Sequence, residues 1–115
     1  EYFTFLNGHD IIWPTSITGR NKNRMNYIVF DLEWNQCPYG KDQENERIPF
    51  EILEIGAVKL NENREMTDQY HVLIQPRVYR KLHHRTKEII RLDMKDLEQG
   101  VPFYKAVRQF LSWWI

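Results

Sequence analysis

The chain has 115 residues, 42% of them hydrophobic and 14% aromatic, which is enough for the packed core of one domain or part of one. Sixteen basic and sixteen acidic residues cancel, so a non-specific polybasic binder is excluded, while a local nucleic-acid or metal site is not. The single cysteine, Cys37, excludes an internal disulfide framework, no apolar run reaches the ~18 residues of a membrane span, and no basic-then-apolar leader opens the chain, so the expected compartment is the cytoplasm.

Residues 1–24 differ in texture from the rest. Tyr2, Phe3, Phe5 and Trp13 are scattered without a period, and the stretch ends in the polar, basic run Gly19-Arg20-Asn21-Lys22-Asn23-Arg24. We expect residues 1–24 to be an extension outside the domain, with the domain opening at Met25. The competing reading is a short helix or strand that docks on it.

Residues 26–34 predict a strand with Ile28, Phe30 and Leu32 on one face and Tyr27, Val29, Asp31 and Glu33 on the other. Residues 35–49 are polar, carry Pro38, Gly40 and Pro49, and predict a long loop. Phe50–Leu60 is apolar on both alternating faces, which suits a strand covered on both sides. Asn61–Arg64 predicts a turn. Residues 66–75 alternate with Tyr70, Val72 and Ile74 inward, and Pro76 ends the strand. The three strands form an antiparallel meander.

The remainder predicts helices. Thr86 is the expected cap of a short one ending near Arg91. Asp93 is the expected cap of the next, with Asp96 in its first turn. Pro102 suits a first helical position. After it, Phe103, Ala106, Val107, Phe110, Leu111 and Trp114 form an amphipathic stripe. The pattern stops at Ile115 with no C-cap glycine, so residues 25–115 read as the N-terminal part of a domain cut at its C-terminus.

Asp31 and Glu33 end the first strand of the meander. Residues i and i+2 of a strand share a face, so the two acids stand about 6–7 Å apart at Cα. Three readings compete. The acids are solvated or salt-bridged at a polar strand end. They form a glycosidase pair, although such carboxylates flank a bond from opposite sides and these are neighbours. Or they ligate a hard cation: oxygen ligands suit Mg²⁺ or Mn²⁺, and two such ions about 4 Å apart can drive phosphodiester hydrolysis.

Several short motifs in order carry a resemblance. Val29-Phe30-Asp31-Leu32-Glu33, the strand Glu54-Ile55-Gly56-Ala57-Val58, the strand closing at Gln75-Pro76, and Pro102-Phe103 opening an amphipathic helix resemble the N-terminal half of the DEDDh 3′→5′ exonucleases. That superfamily includes proofreading subunits, RNase T and the Eri-like RNA exonucleases. The polar loop with its cysteine is most similar to the Eri-like branch. The resemblance covers about residues 26–115.

It implies an α/β, RNase H-like fold: a mixed sheet opened by the meander, with helices following. It implies stepwise hydrolysis from the 3′ end of single-stranded nucleic acid, RNA favoured over DNA, with two divalent ions, Mg²⁺ or Mn²⁺. Asp31 and Glu33 match the first motif, whose acids ligate metal and carry catalysis. Leu32 and Trp34 fall where the family meets the terminal nucleotide, and Leu92 and Met94 stand where a later turn usually lines that pocket.

This sequence departs from the pattern in two ways. Arg91-Leu92-Asp93-Met94 replaces the usual Thr-Gly-Ile-Thr-like turn. The second motif's Asp and the third motif's His and Asp are absent, and His9, His71, His83 and His84 do not substitute for them. The chain is therefore expected to be inactive alone. The alternatives are a non-catalytic nucleic-acid-binding or scaffold domain of the same fold, and another RNase H-like phosphoryl transferase that cuts internally. Lys41, Arg47, Arg77, Arg80, Lys81 and Arg85 are either phosphate contacts or solvated loop charges. Cys37, with no second cysteine, reads as an ordinary thiol.

Overall fold

The computed structural model describes residues 11–16 and 25–115. Expectations for residues 1–10 and 17–24, His9 included, lie outside the described residues. The elements run β1 (Ile11–Ser16), β2 (Met25–Gln36), β3 (Phe50–Leu60), β4 (Met66–Leu73), α1 (His84–Ile89), α2 (Met94–Glu98) and α3 (Phe103–Trp114). The strands form one sheet in the order β1-β2-β3-β4, each pair antiparallel. The expected meander is β2-β3-β4. β1 pairs with β2 from Ile11 opposite Phe30 to Ser16 opposite Met25.

The β3–β4 turn is tight because Asn61 organises it. Its Oδ1 accepts from the amides of Asn63 and Glu65, both at 2.9 Å, while its own carbonyl accepts from Arg64 N at 2.9 Å. Arg64 adopts a left-handed conformation there (φ 62°).

Helix α3 covers one face of the sheet. Ala106 and Phe110 pack against Ile55, Ala57 and Ile74, with Phe30, Leu32, Tyr70 and Val72 around them. The rings interlock: Phe30 and Tyr70 each lie 5.6 Å from Phe110. The predicted stripe is only partly used. Phe103 and Leu111 remain 50% and 51% exposed, while Trp113, outside the stripe, stacks on Tyr70 at 5.5 Å. The start of α3 is fixed by Pro102, whose carbonyl accepts from Lys105 N and Ala106 N at 3.0 Å.

The other face is covered at one end by the segment that includes α1 and α2. Leu53, Ile90 and Leu97 form a second cluster there, joined by Leu73, Leu82, Leu92 and Met94. Helix α2 has the expected capping box. Asp93 Oδ1 accepts from Asp96 N at 2.9 Å, and Asp96 Oδ2 accepts from Asp93 N at 3.0 Å. The cap of α1 differs from expectation. His83 occupies that position, its Nδ1 accepting from Arg85 N at 3.1 Å. Thr86 lies buried inside the helix and donates its hydroxyl to Trp34 O at 3.4 Å. The sheet contact, which has no local sequence signature, has taken the hydroxyl away from capping.

Gly100 lets the α2–α3 link cross the end of β4. A Cβ at this position would lie 2.7 Å from Leu73 O. The close approach closes a short parallel bridge, with Val101 N donating to Leu73 O and Gln75 N to Val101 O, both at 2.9 Å.

Candidate functional site

Alternation along β2 sets the site. Phe30 and Leu32 pack on the α3 side, so Asp31, Glu33 and Asn35 point to the other face. The two acids are half-buried. Asp31 Oδ1 accepts from Leu32 N at 3.0 Å. Across the β2–β3 ladder, Asp31 faces Gly56, which presents no side chain, and Glu33 faces Glu54. Burial raises the Glu33 carboxyl above its ordinary 4.5, and the neighbouring charges of Asp31 and Glu54 raise it further. Glu54 is in turn engaged by His71 Nε2 of β4 through its Oε1. Such a half-buried pair of acids, with the Glu33 carboxyl pushed up by burial and by its neighbours, is one that a cation would relieve. Its donors are all oxygen, which fits Mg²⁺ or Mn²⁺. Among the described residues, no group of three His, Cys, Asp or Glu side chains is arranged to hold a metal ion. The described residues therefore offer the Asp31–Glu33 pair, not a complete cage.

A register shift lies immediately beyond. Glu33 pairs with Glu54, but Trp34 pairs with Ile52, leaving Leu53 as an extra residue. The shift resets the alternation of β3. Ile52 and Ile55 both pack on the α3 side, while Leu53 enters the second cluster. Simple alternation placed Ile52 and Ile55 on opposite faces.

Two buried polar side chains then strap the following segment over the acid-bearing face. Asn35 is fully buried, donates from Nδ2 to Lys81 O and accepts on Oδ1 from His83 N, both at 2.9 Å. Glu51 accepts from the amides of Arg77, Val78 and Tyr79 at 2.6, 2.8 and 3.2 Å. Tyr79 closes the loop from the other side, donating its hydroxyl to Ile48 O at 3.0 Å.

The remaining predicted residues separate into two groups. Leu92 and Met94 pack with Leu73 and Leu53, on the sheet face that carries the acids. Leu32 turns into the α3 core and leaves only its backbone beside Asp31. Trp34 shares the side of Ile52, is 51% exposed, and meets Phe50 edge-on at 6.4 Å. Beside Met94, a cleft of about 380 Å³ is lined by Lys81, Leu82, Lys87, Asp93 and Lys95. Of the basic residues singled out in the sequence, only Lys81 lines it. Glu54 and Asn35 are additions from the structure. The signal for Glu54 was an acid inside an otherwise apolar strand, and for Asn35 its position two residues after Glu33.

Comparison with known proteins adds to this geometry. No protein-family model matches the chain. An ERI1 exoribonuclease 2 from Xenopus laevis is 30% identical over 87 residues, covering 75% of this chain. A full-length 3′-exonuclease structure superposes with a TM-score of 0.58 at 15% identity over 72% of the chain. The structure of cell-death related nuclease 4 superposes with a TM-score of 0.60 at 16% identity over 75%. The chain is related to the DEDDh 3′→5′ exonucleases. Its meander and following helices have the RNase H-like fold that the resemblance implied. The relationship is partial: the chain spans 12% of the Xenopus exoribonuclease and 26% and 28% of the two exonuclease structures.

Proposed function

We propose that Asp31 and Glu33 are the first half of a two-cation site that hydrolyses phosphodiester bonds at the 3′ end of single-stranded nucleic acid, with RNA favoured over DNA. The observation that carries this reading is the pair itself. Two half-buried carboxylates share one sheet face, opposite the packed core, in a fold shared with exonucleases. Mg²⁺ or Mn²⁺ held there would supply a nucleophile from bound water and stabilise the leaving oxygen. The chain's own residues do the rest. Asp31 and Glu33 hold the charge in place. The backbone at Leu32 and Trp34, with Leu92 and Met94, borders the terminal nucleotide. The Trp34 ring itself lies with Ile52 on the α3 side of the sheet, away from the acids. Lys81, Lys87 and Lys95 line a cleft suited to phosphates. The cytoplasm, a reducing compartment with free Mg²⁺, suits both the free thiol of Cys37 and this chemistry.

The chain carries only the first of the family's acidic motifs, so alone it is expected to leave 3′-labelled single-stranded RNA intact in Mg²⁺. It is nonetheless expected to bind Mn²⁺ weakly, and Asp31→Asn is expected to abolish that binding. Mononucleotide release by this chain would overturn the claim of inactivity. Mn²⁺ binding that survives Asp31→Asn would overturn the metal assignment. A longer protein containing this chain is expected to release mononucleotides, and internal cleavage products would point instead to an endonuclease.

A further inference from the structure

On the face opposite α3, three side chains form a row across three strands. Glu33 of β2 stands directly across from Glu54 of β3, and Glu54 is contacted by His71 of β4, whose register partner is Gly56. Directly opposed residues of an antiparallel pair have Cβ atoms only about 4.5–5.5 Å apart, and like charges there repel. Asp31, two residues along the same strand, faces Gly56, which presents no side chain. The row therefore decides where the Glu33 carboxylate can go. If Glu54 were free to lean toward β2, Glu33 would be pushed aside. With Glu54 held toward β4 by the imidazole, Glu33 is left to converge with Asp31.

We propose that Glu54, held by His71, is a positioning residue for Glu33 that sets the carboxylate geometry of the cation site. This rests on the metal reading of Asp31 and Glu33 given above. Glu54 acts through Glu33, and His71 acts through Glu54. Neither is assigned a bond to the metal, in keeping with the absence of a three-ligand group among the described residues. The arrangement parallels the outer partners of metal ligands in general, whose loss typically weakens metal binding by about 10- to 100-fold.

Charge alone and positioning make opposite forecasts for His71. Removing a basic group beside a cation site should tighten cation binding on charge grounds. Positioning says that binding weakens, because Glu54 is released toward Glu33. The test is Mn²⁺ titration of the full chain, read by electron paramagnetic resonance, with thermal melting of each variant in EDTA. His71→Leu is expected to weaken Mn²⁺ binding about tenfold, and His71→Gln, which keeps a donor for Glu54, to restore most of it. In a Glu54→Gln background, His71→Leu is expected to have no further effect. Tighter binding in His71→Leu, or an undiminished effect of that change in the Glu54→Gln background, would overturn the proposal. If Asp31→Asn abolishes binding while His71→Leu and Glu54→Gln both leave it within twofold, the metal reading stands and the positioning role falls. If Asp31→Asn leaves binding unchanged, the metal reading falls and takes this inference with it.

Discussion

Glu33 holds a charge that its surroundings resist, and the consequence can be measured without any substrate. Burial, then Asp31, then Glu54 raise its carboxyl above the ordinary 4.5. A carboxyl raised in the folded state binds its proton more tightly there than in the unfolded chain. Stability is therefore lost as pH rises from 4.5 through the raised folded value, and the penalty is complete above it. Glu33→Gln removes the charge and keeps the shape. In EDTA it is expected to melt at a higher temperature than the parent at pH 7, with the gap closing as pH falls toward 4.5. A gap that persisted in full below 4.5 would show that the gain came from packing. Glu51 makes the opposite case among the acids. Three backbone amides converge on its carboxylate, so Glu51→Ala leaves buried donors without a partner and is expected to cost about 3 kcal/mol in urea unfolding. In the sequence these two residues look alike, each an acid in an apolar run. What separates them is what lies across from each, a carboxylate for Glu33 and three amides for Glu51, and that depends on the strand register and the return of the chain.

At the scale of elements, local chemistry was legible and contacts between elements were not. The Asp93–Asp96 capping box needs only residues three apart, so the start of α2 could be read directly. The bounds of β3 match the apolar run from Phe50 to Leu60, but its faces do not alternate throughout, because Leu53 is an extra residue whose presence depends on pairing with Glu33 and Trp34. Likewise Thr86 has the chemistry of a cap, yet a carbonyl 52 positions back in β2 takes its hydroxyl. The straps behave as one unit with the site. Asn35 lies on the same strand face as Asp31 and Glu33, and its two hydrogen bonds fix the chain at Lys81 and His83, where α1 begins. Asn35→Ala is expected to cost about 2 kcal/mol and to speed amide hydrogen exchange across α1 more than across α3. Equal acceleration in both helices would mean that the cost was global and that the strap does not hold α1 in particular.

At the scale of the whole molecule, the sheet divides the structure into a packed side and a chemical side. Helix α3 closes one face with a continuous aromatic cluster, while α1 and α2 pack on one end of the other face, which also carries the carboxylates. Among the described residues, the β1–β2 ladder pairs Met25 to Phe30 with Ser16 to Ile11. β1 therefore pairs with β2 at a place remote in register from the straps at Asn35 and Glu51. We propose that the domain opens at Met25, where β2 begins. A chain starting there is expected to keep cooperative unfolding, the near-ultraviolet signal of the Phe110–Trp113–Trp114 cluster and any Mn²⁺ binding at Asp31. Loss of the aromatic signal together with cooperativity would make the first 24 residues an integral layer of the fold. Retained packing with loss of metal binding would instead tie β1 to the geometry of the acid pair.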